Sequence, residues 1–210
     1  MNNPLFSLEK ACFAPEPAVL SRIEDMTETE KVFTIRKIHG PLDFSPGQFV
    51  QVSVFGYGEA PFSICSSPTD TDVFDICVRN VGDVTNALHR LSPGDGIGVR
   101  GPYGNGFPLE DFKKKDLICI AGGIGLAPLR SLITYARDNR KHFGRLIVAY
   151  GARSPSVMLF KEDLGRWKTD IGMEVHQIVD NPDESWHGPT GVITDLLKEL
   201  VDLPFAVALK

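Results

Sequence analysis

The run Ala121-Gly-Gly-Ile-Gly-Leu-Ala-Pro128 constrains the fold of this chain more than any other segment. It follows Leu117-Ile-Cys-Ile120, a continuous apolar run of the kind expected of a strand buried on both faces. A helical stretch over residues 127–139 comes next, with Leu129, Leu132, Ile133 and Ala136 on one face. Glycines let the backbone turn tightly and let a phosphate approach without meeting a Cβ. The start of the helix offers free N–H groups and a favourable dipole to an anion. Pro128 suits the first helical turn, where its missing N–H costs nothing. The spacing is G-G-x-G-x-x-P, not the G-x-G-x-x-G of the Rossmann fingerprint. Taken alone, the turn leaves open a tight strand–helix connection that holds no ligand.

The same alternation continues downstream. Leu146-Ile-Val-Ala-Tyr150 reads as another buried strand. A helix is expected over 157–167, a strand over 173–179, a helix over 192–200 and a last buried strand over 205–209. Alternating strands and helices imply a parallel sheet with right-handed crossovers. Upstream the period changes. In Gln48-Phe-Val-Gln-Val-Ser-Val54, Val50, Val52 and Val54 share one face, with Gln51 and Ser53 on the other. Residues 73–79 repeat the pattern, with Phe74, Ile76 and Val78 inward. Residues 18–23 and 32–38 are two more candidate strands. Turn signals separate them: Ser45-Pro-Gly47, Gly56-Tyr-Gly58 and Ser92-Pro-Gly-Asp-Gly96. Short strands at this spacing suggest an antiparallel barrel or sandwich. The two halves meet near 110–115, giving expected domains of 1–112 and 113–210. There is no internal repeat and no low-complexity segment.

Composition excludes several classes. A net charge of −5 argues against nucleic acid as a partner, since phosphate binding needs a basic footprint. Lys113, Lys114 and Lys115, before Asp116, read as a solvated turn. No run approaches the roughly 18 apolar residues of a membrane span. Residues 1–10 lack the pattern of a secretory signal, so a cytoplasmic location is expected. The cysteines are Cys12, Cys65, Cys77 and Cys119, none in a C-x-x-C pair. A zinc or iron–sulfur site built from this chain alone is therefore not expected, and no metal ligands are assigned. Cys77 and Cys119 sit in strand-like runs and read as small buried hydrophobes.

Four motifs occur in order: Ala60-Pro-Phe-Ser63, Gly82-Asp-Val-Thr-Asn86, Gly101-Pro-Tyr-Gly104 and Ala121-Gly-Gly-Ile-Gly125. Their order and spacing resemble the ferredoxin–NADP reductase superfamily. Tyr150-Gly-Ala-Arg-Ser-Pro155, Leu159-Phe-Lys161 and Glu184-Ser-Trp-His-Gly-Pro-Thr-Gly-Val192 resemble one group within it. That group holds sulfhydrogenase gamma subunits, dihydroorotate dehydrogenase electron-transfer subunits and the corresponding subunit of anaerobic sulfite reductase. The resemblance covers nearly the whole chain. It implies an antiparallel FAD-binding β-barrel followed by an α/β parallel-sheet NAD(P)-binding domain.

The resemblance also implies site residues. Pro61, Phe62 and Ser63 run along the flavin, with Ser63 tuning it by a hydrogen bond and no acid–base residue required. Many members have Arg where this chain has Ala60. Cys77, Val78 and Arg79 correspond to a strand end near the flavin and adenosine portions. Arg79 is the local candidate to replace the missing positive charge, because guanidinium binds phosphate in a bidentate way; a solvent-facing strand Arg is the alternative. Gly82, Val84, Thr85 and Asn86 are expected to present backbone N–H groups to the FAD diphosphate, with Thr85 as helix N-cap. His89, on the same helix, reads as structural. In the second half, Gly122, Gly123, Ile124, Gly125 and Pro128 are expected to hold the NAD(P) diphosphate. Gly151, Ala152 and Arg153 follow the second strand, where ribose selection occurs in open α/β sheets. Arg153 suits either a 2′-phosphate or adenine stacking. Asp180 is a further crevice candidate, although Asp180-Asn-Pro182 is also a good turn.

The family's last strand runs into Cys-Gly-Pro, and many members of the nearest group carry a downstream [2Fe–2S] cysteine cluster. This chain stops at Ala208-Leu-Lys210. The expectation is an NAD(P) domain cut short, with a [2Fe–2S] centre only in a polypeptide extending past Lys210. The implied function is a diaphorase-type FAD-dependent NAD(P)H oxidoreductase subunit. It would exchange electrons with an iron–sulfur subunit, in a hydrogenase or heterodisulfide-reductase-type complex. Electron transfer to dihydroorotate dehydrogenase or sulfite reductase, and non-catalytic sensing of flavin or nucleotide, are the alternatives.

Overall fold

The computed structural model describes residues 14–70, 72–170, 172–200 and 206–208. The N-terminal half contains β1 (Glu16–Asp25), β2 (Glu30–Lys37), β3 (Phe49–Val54), β4 (Gly58–Ser63), β5 (Phe74–Arg79) and β6 (Gly96–Tyr103). All pair antiparallel, in the order β4-β3-β6-β1-β2-β5. Ile64, just past β4, bridges Ile76 on β5, and Cys65 N donates to Asp75 O at 2.8 Å. These bonds bring the two edges together and close the sheet into a barrel, which removes its free edges. The alternation seen in the sequence holds. Val50, Val52 and Val54 face the barrel core with Phe74, Ile76 and Val78.

A short helix, α1 (Asp83–His89), lies across β3 and β4 and buries Ala87 and Leu88 in the barrel core. Its N-cap is Gly82, not Thr85. Thr85 sits one turn inside, and its hydroxyl accepts from the N–H groups of Val81 and Gly82 at 2.9 Å each. Reaching back from the third helical position is the second half of a capping box, and a sequence pattern does not say which end of the box a Thr occupies.

The C-terminal half follows α2 (Leu109–Phe112). Its elements are β7 (Leu117–Gly122), α3 (Leu126–Asp138), β8 (Leu146–Ala152), α4 (Lys161–Trp167), β9 (Met173–Val179), α5 (Ile193–Leu200) and β10 (Ala206–Ala208). The sheet is parallel, in the order β10-β7-β8-β9. Residues 205 and 209, at the ends of the last expected strand, lie outside the described residues, as does Cys12. Both faces of the sheet are covered. Leu117, Cys119 and Val148 pack with α3 and α4 on one side, and Ile118, Ile147 and Ile178 with α5 on the other. Burial on both faces is why these strands read as unbroken apolar runs.

The helix expected over 157–167 begins later. Pro155–Val157 is a 3-10 turn, and Phe160, at φ 53°, separates it from α4. Barrel residues Val32, Cys65 and Cys77 belong to the same apolar cluster as α3 and α4. The two halves thus share a continuous core.

Candidate functional site

At the carboxyl ends of β7, β8 and β9 the parallel sheet opens into a cavity of about 490 Å³. In-register pairing puts Gly122 beside Gly151 and Ala152 beside Val179. The chain leaves β7 through a 3-10 turn, Gly123–Gly125, that leads directly into α3. Gly123 has φ +51°, a conformation that favours glycine, and Cβ atoms placed on Gly122 or Gly125 would point into open space. The turn therefore has room above it for a bulky group. A Cβ on Gly151 would stand 2.9 Å from Cβ of Ile193, so glycine there lets α5 close the cavity floor. Asp180 N donates to Ala152 O at 3.1 Å and Asn181 N to Arg153 O at 2.8 Å. These bonds pin Arg153 and Asp180 at the rim. Neither side chain has a bonding partner among the described residues.

The barrel supplies the opposite wall. Arg79 ends β5 and faces Glu30 at the start of β2. Its Nε donates to Glu30, which is 3% exposed and also accepts from the hydroxyls of Thr27 and Thr29. Burial acts to raise the Glu30 carboxyl, but the bonds from Thr27, Arg79 and Thr29 outweigh it and leave the group below its ordinary value. The carboxylate orients the guanidinium toward the glycine turn. A Cβ on Gly123 would lie 3.9 Å from Arg79 Nη2. Arg79 is thus half-exposed, ion-paired to Glu30 and part of the cavity wall. Thr29 and Glu30, which sequence reasoning did not single out, line the same space. Nothing in Thr27-Glu-Thr-Glu30 marks them. Their role comes from the pairing with β5.

One cavity therefore gathers Gly122, Gly123, Gly151, Ala152, Arg153, Asp180 and Arg79. Ile124 instead packs toward the apolar core, Gly125 caps α3, and Pro128 is the third residue of that helix. Among the residues expected at the flavin, Pro61, Phe62 and Ser63 form the last half of β4. Phe62 leans on the barrel core, and the Ser63 hydroxyl has no bonding partner among the described residues. Gly82 and Asn86 are exposed, and Val84 packs near Gly58 at the head of β4. Cys77 and Val78 are buried, in the shared core and the barrel core respectively. Their side chains pack in those cores. Thr85 is buried too, and its hydroxyl is spent on the helix cap.

The described thiols, Cys65, Cys77 and Cys119, are all buried. Burial pushes Cys77 and Cys119 up to about 12 and raises Cys65 as well. His89 is held below its ordinary value by burial, and its Nε2 lies 3.0 Å from Val78 O, as befits a structural role. Among the described residues no cluster of three or more His, Cys, Asp or Glu could hold a metal ion. None of their helices is long and apolar enough to cross a membrane.

The donor set fits a dinucleotide. A roomy glycine turn at the start of a 13-residue helix meets a cation held over it, with unspent Arg153 and Asp180 at the rim. Comparisons with known proteins agree. Residues 18–107 match the oxidoreductase FAD-binding domain family, and residues 119–207 the oxidoreductase NAD-binding domain family. The chain is 43% identical over 176 residues to sulfhydrogenase 1 subunit gamma of Pyrococcus furiosus, covering 81% of this chain and 60% of that protein. It is 32% identical over 177 residues to a probable dihydroorotate dehydrogenase B (NAD(+)) electron transfer subunit of Thermococcus kodakarensis, covering 84% and 67%. The chain thus spans 60% of the length of the sulfhydrogenase relative. Among solved structures, the Amycolatopsis cytochrome P450 reductase GcoB superposes with a TM-score of 0.76 at 21% identity, covering 93% of this chain and 60% of that one. The chain belongs to the ferredoxin reductase family, with an FAD-binding barrel and an NAD-binding α/β domain.

Proposed function

We propose that this chain is an FAD-dependent NAD(P)H oxidoreductase subunit that passes electrons to an iron–sulfur partner in a hydrogenase-type complex, in the cytoplasm. The observation that carries the reading is the composite cavity, where the glycine turn of one half faces the ion-paired Arg79 of the other. When bound, nicotinamide and flavin supply the redox chemistry by hydride transfer between them. The chain's own residues bind and orient. Gly122 and Gly123 admit the dinucleotide diphosphate, and Arg79 neutralises part of its charge. Arg153 and Asp180 stand where the ribose is read. Ser63 offers its free hydroxyl to the flavin, while Gly82, Val84 and Asn86 border the flavin's phosphates.

The 41–43% identity to two sulfhydrogenase gamma subunits, against 32–35% to dihydroorotate dehydrogenase electron-transfer subunits, favours the hydrogenase-type partner. The second assignment keeps the same two cofactors and changes only the partner. Binding of NADH and NADPH to the protein and to Gly123→Val tests the site. A branched side chain at φ +51° strains the turn and fills the approach to it. Affinity for the preferred nucleotide is expected to fall at least about tenfold, equivalent to 1.4 kcal/mol. Unchanged affinity refutes the assignment.

A further inference from the structure

Arg130 stands one turn into α3, the helix that the glycine turn opens. Its side chain is 17% exposed and lies between the two halves. Nε donates to Asp163 Oδ2 on α4 at 2.6 Å. Nη1 donates to the Cys65 carbonyl at 2.8 Å and lies 3.4 Å from Asp75 Oδ2 on β5. The Phe160 ring packs against the guanidinium, its centroid 4.9 Å from Cζ. Phe160 holds φ 53°, a left-handed conformation that is unfavourable for a non-glycine residue and persists only where its surroundings hold it. The partners are themselves anchored. Asp75 accepts the Thr34 hydroxyl at 2.8 Å, and Asp163 also accepts from Arg166.

The identity of these partners matters. Cys65 lies just past the end of β4, which carries Ser63, and Asp75 shares β5 with Arg79. One guanidinium therefore ties both cofactor-bearing strands of the barrel to the helix that carries the glycine turn. The apolar contact between the halves, through Val32, Cys65 and Cys77, is non-directional, and the hydrogen bonds from Ser67 and Thr69 to Asp138 are exposed and sit at the far end of α3. The planar fork of an arginine fixes direction as well as distance.

We propose that Arg130 is a positioning residue, which sets the angle between the two halves and with it the reach from the dinucleotide cavity to the flavin strand. The proposal rests on the hydride-transfer function above. Such transfer needs its reacting atoms about 3–3.5 Å apart, and a 1 Å misplacement costs on the order of 100-fold in rate. Arg130 does not line the dinucleotide cavity. Its loss therefore lowers the transfer rate at saturating nucleotide and leaves nucleotide affinity in place.

The test uses Arg130→Lys and Arg130→Met in the FAD-loaded full chain. Spin labels are placed at Arg36→Cys on the barrel and Lys168→Cys beyond α4, with Cys12 replaced by serine. The parent is expected to give one narrow inter-label distance, and both Arg130 variants a broadened or displaced one. Flavin reduction at saturating nucleotide is expected to slow by about 10–100-fold, with nucleotide Kd within twofold. Should Arg130→Met fail to fold, Arg130→Lys decides, because it keeps the charge and loses the fork. A distance distribution equal to the parent's overturns the proposal, whatever the rate. A parent protein that binds both cofactors yet transfers no hydride refutes the proposed function, and the distances still decide the role of Arg130.

Discussion

Glu30 shows how one residue can be silent in the sequence and decisive in the structure. A Glu in a Thr-Glu-Thr-Glu run reads as surface, yet here it is buried and orients Arg79 over the glycine turn. Its carboxyl titrates below its unfolded value, so in acid the unfolded chain binds more protons than the folded one. The stabilisation it supplies is complete above the ordinary carboxylate range and is lost as pH falls through the depressed value. Glu30→Gln is expected to cost about 1–3 kcal/mol near neutral pH, the scale of a hydrogen bond to a charged group. Urea unfolding across a pH series is expected to show that difference shrinking in acid. A difference that stays constant with pH would show that the Glu30 charge adds nothing. Arg79→Ala is expected to weaken nucleotide binding about 10–100-fold, from the loss of roughly 1.5–3 kcal/mol of charge-assisted bonding. Isothermal titration with NADH and NADPH measures it, and retained affinity would exclude Arg79 from the site.

Among the elements, those with a clear period were legible in the sequence. The strands β7, β8 and β9 announced themselves as apolar runs, and α3 by its buried stripe of Leu129, Leu132, Ile133 and Ala136. The strands β4 and β6 did not, because Gly-Glu-Ala-Pro-Phe-Ser and Gly-Ile-Gly-Val-Arg-Gly-Pro-Tyr carry the residues that usually mark turns. Pairing with β3, and for β6 also with β1, makes strands of them. The late start of α4 was equally hidden, since the left-handed Phe160 before it packs its ring on Arg130, which comes from a different helix. Leu132 is fully buried on α3, in the apolar cluster that contains residues of both halves. Leu132→Ala is expected to cost about 2–5 kcal/mol. Chemical denaturation measures it, and a cost below about 0.5 kcal/mol, the surface-residue range, would contradict this packing.

For the molecule as a whole, the two halves and their separate grammars were readable, and the glycine turn, Arg153 and Asp180 share one cavity. What the sequence did not show is that the cavity is shared. Glu30 and Arg79 lie 49 residues apart, and Arg130 and Asp75 lie 55 apart. No local pattern links such pairs, and barrel closure and domain packing bring them together. In the proposed function, the shared cavity serves electron transfer from a nicotinamide dinucleotide to a flavin. The direct measurement is anaerobic titration of the FAD-reconstituted chain with NADH and with NADPH, following visible flavin absorbance. The protein is expected to take up FAD, and at least one nucleotide to bleach it. Protein that takes up no FAD, or flavin that stays oxidised with both nucleotides, would contradict it.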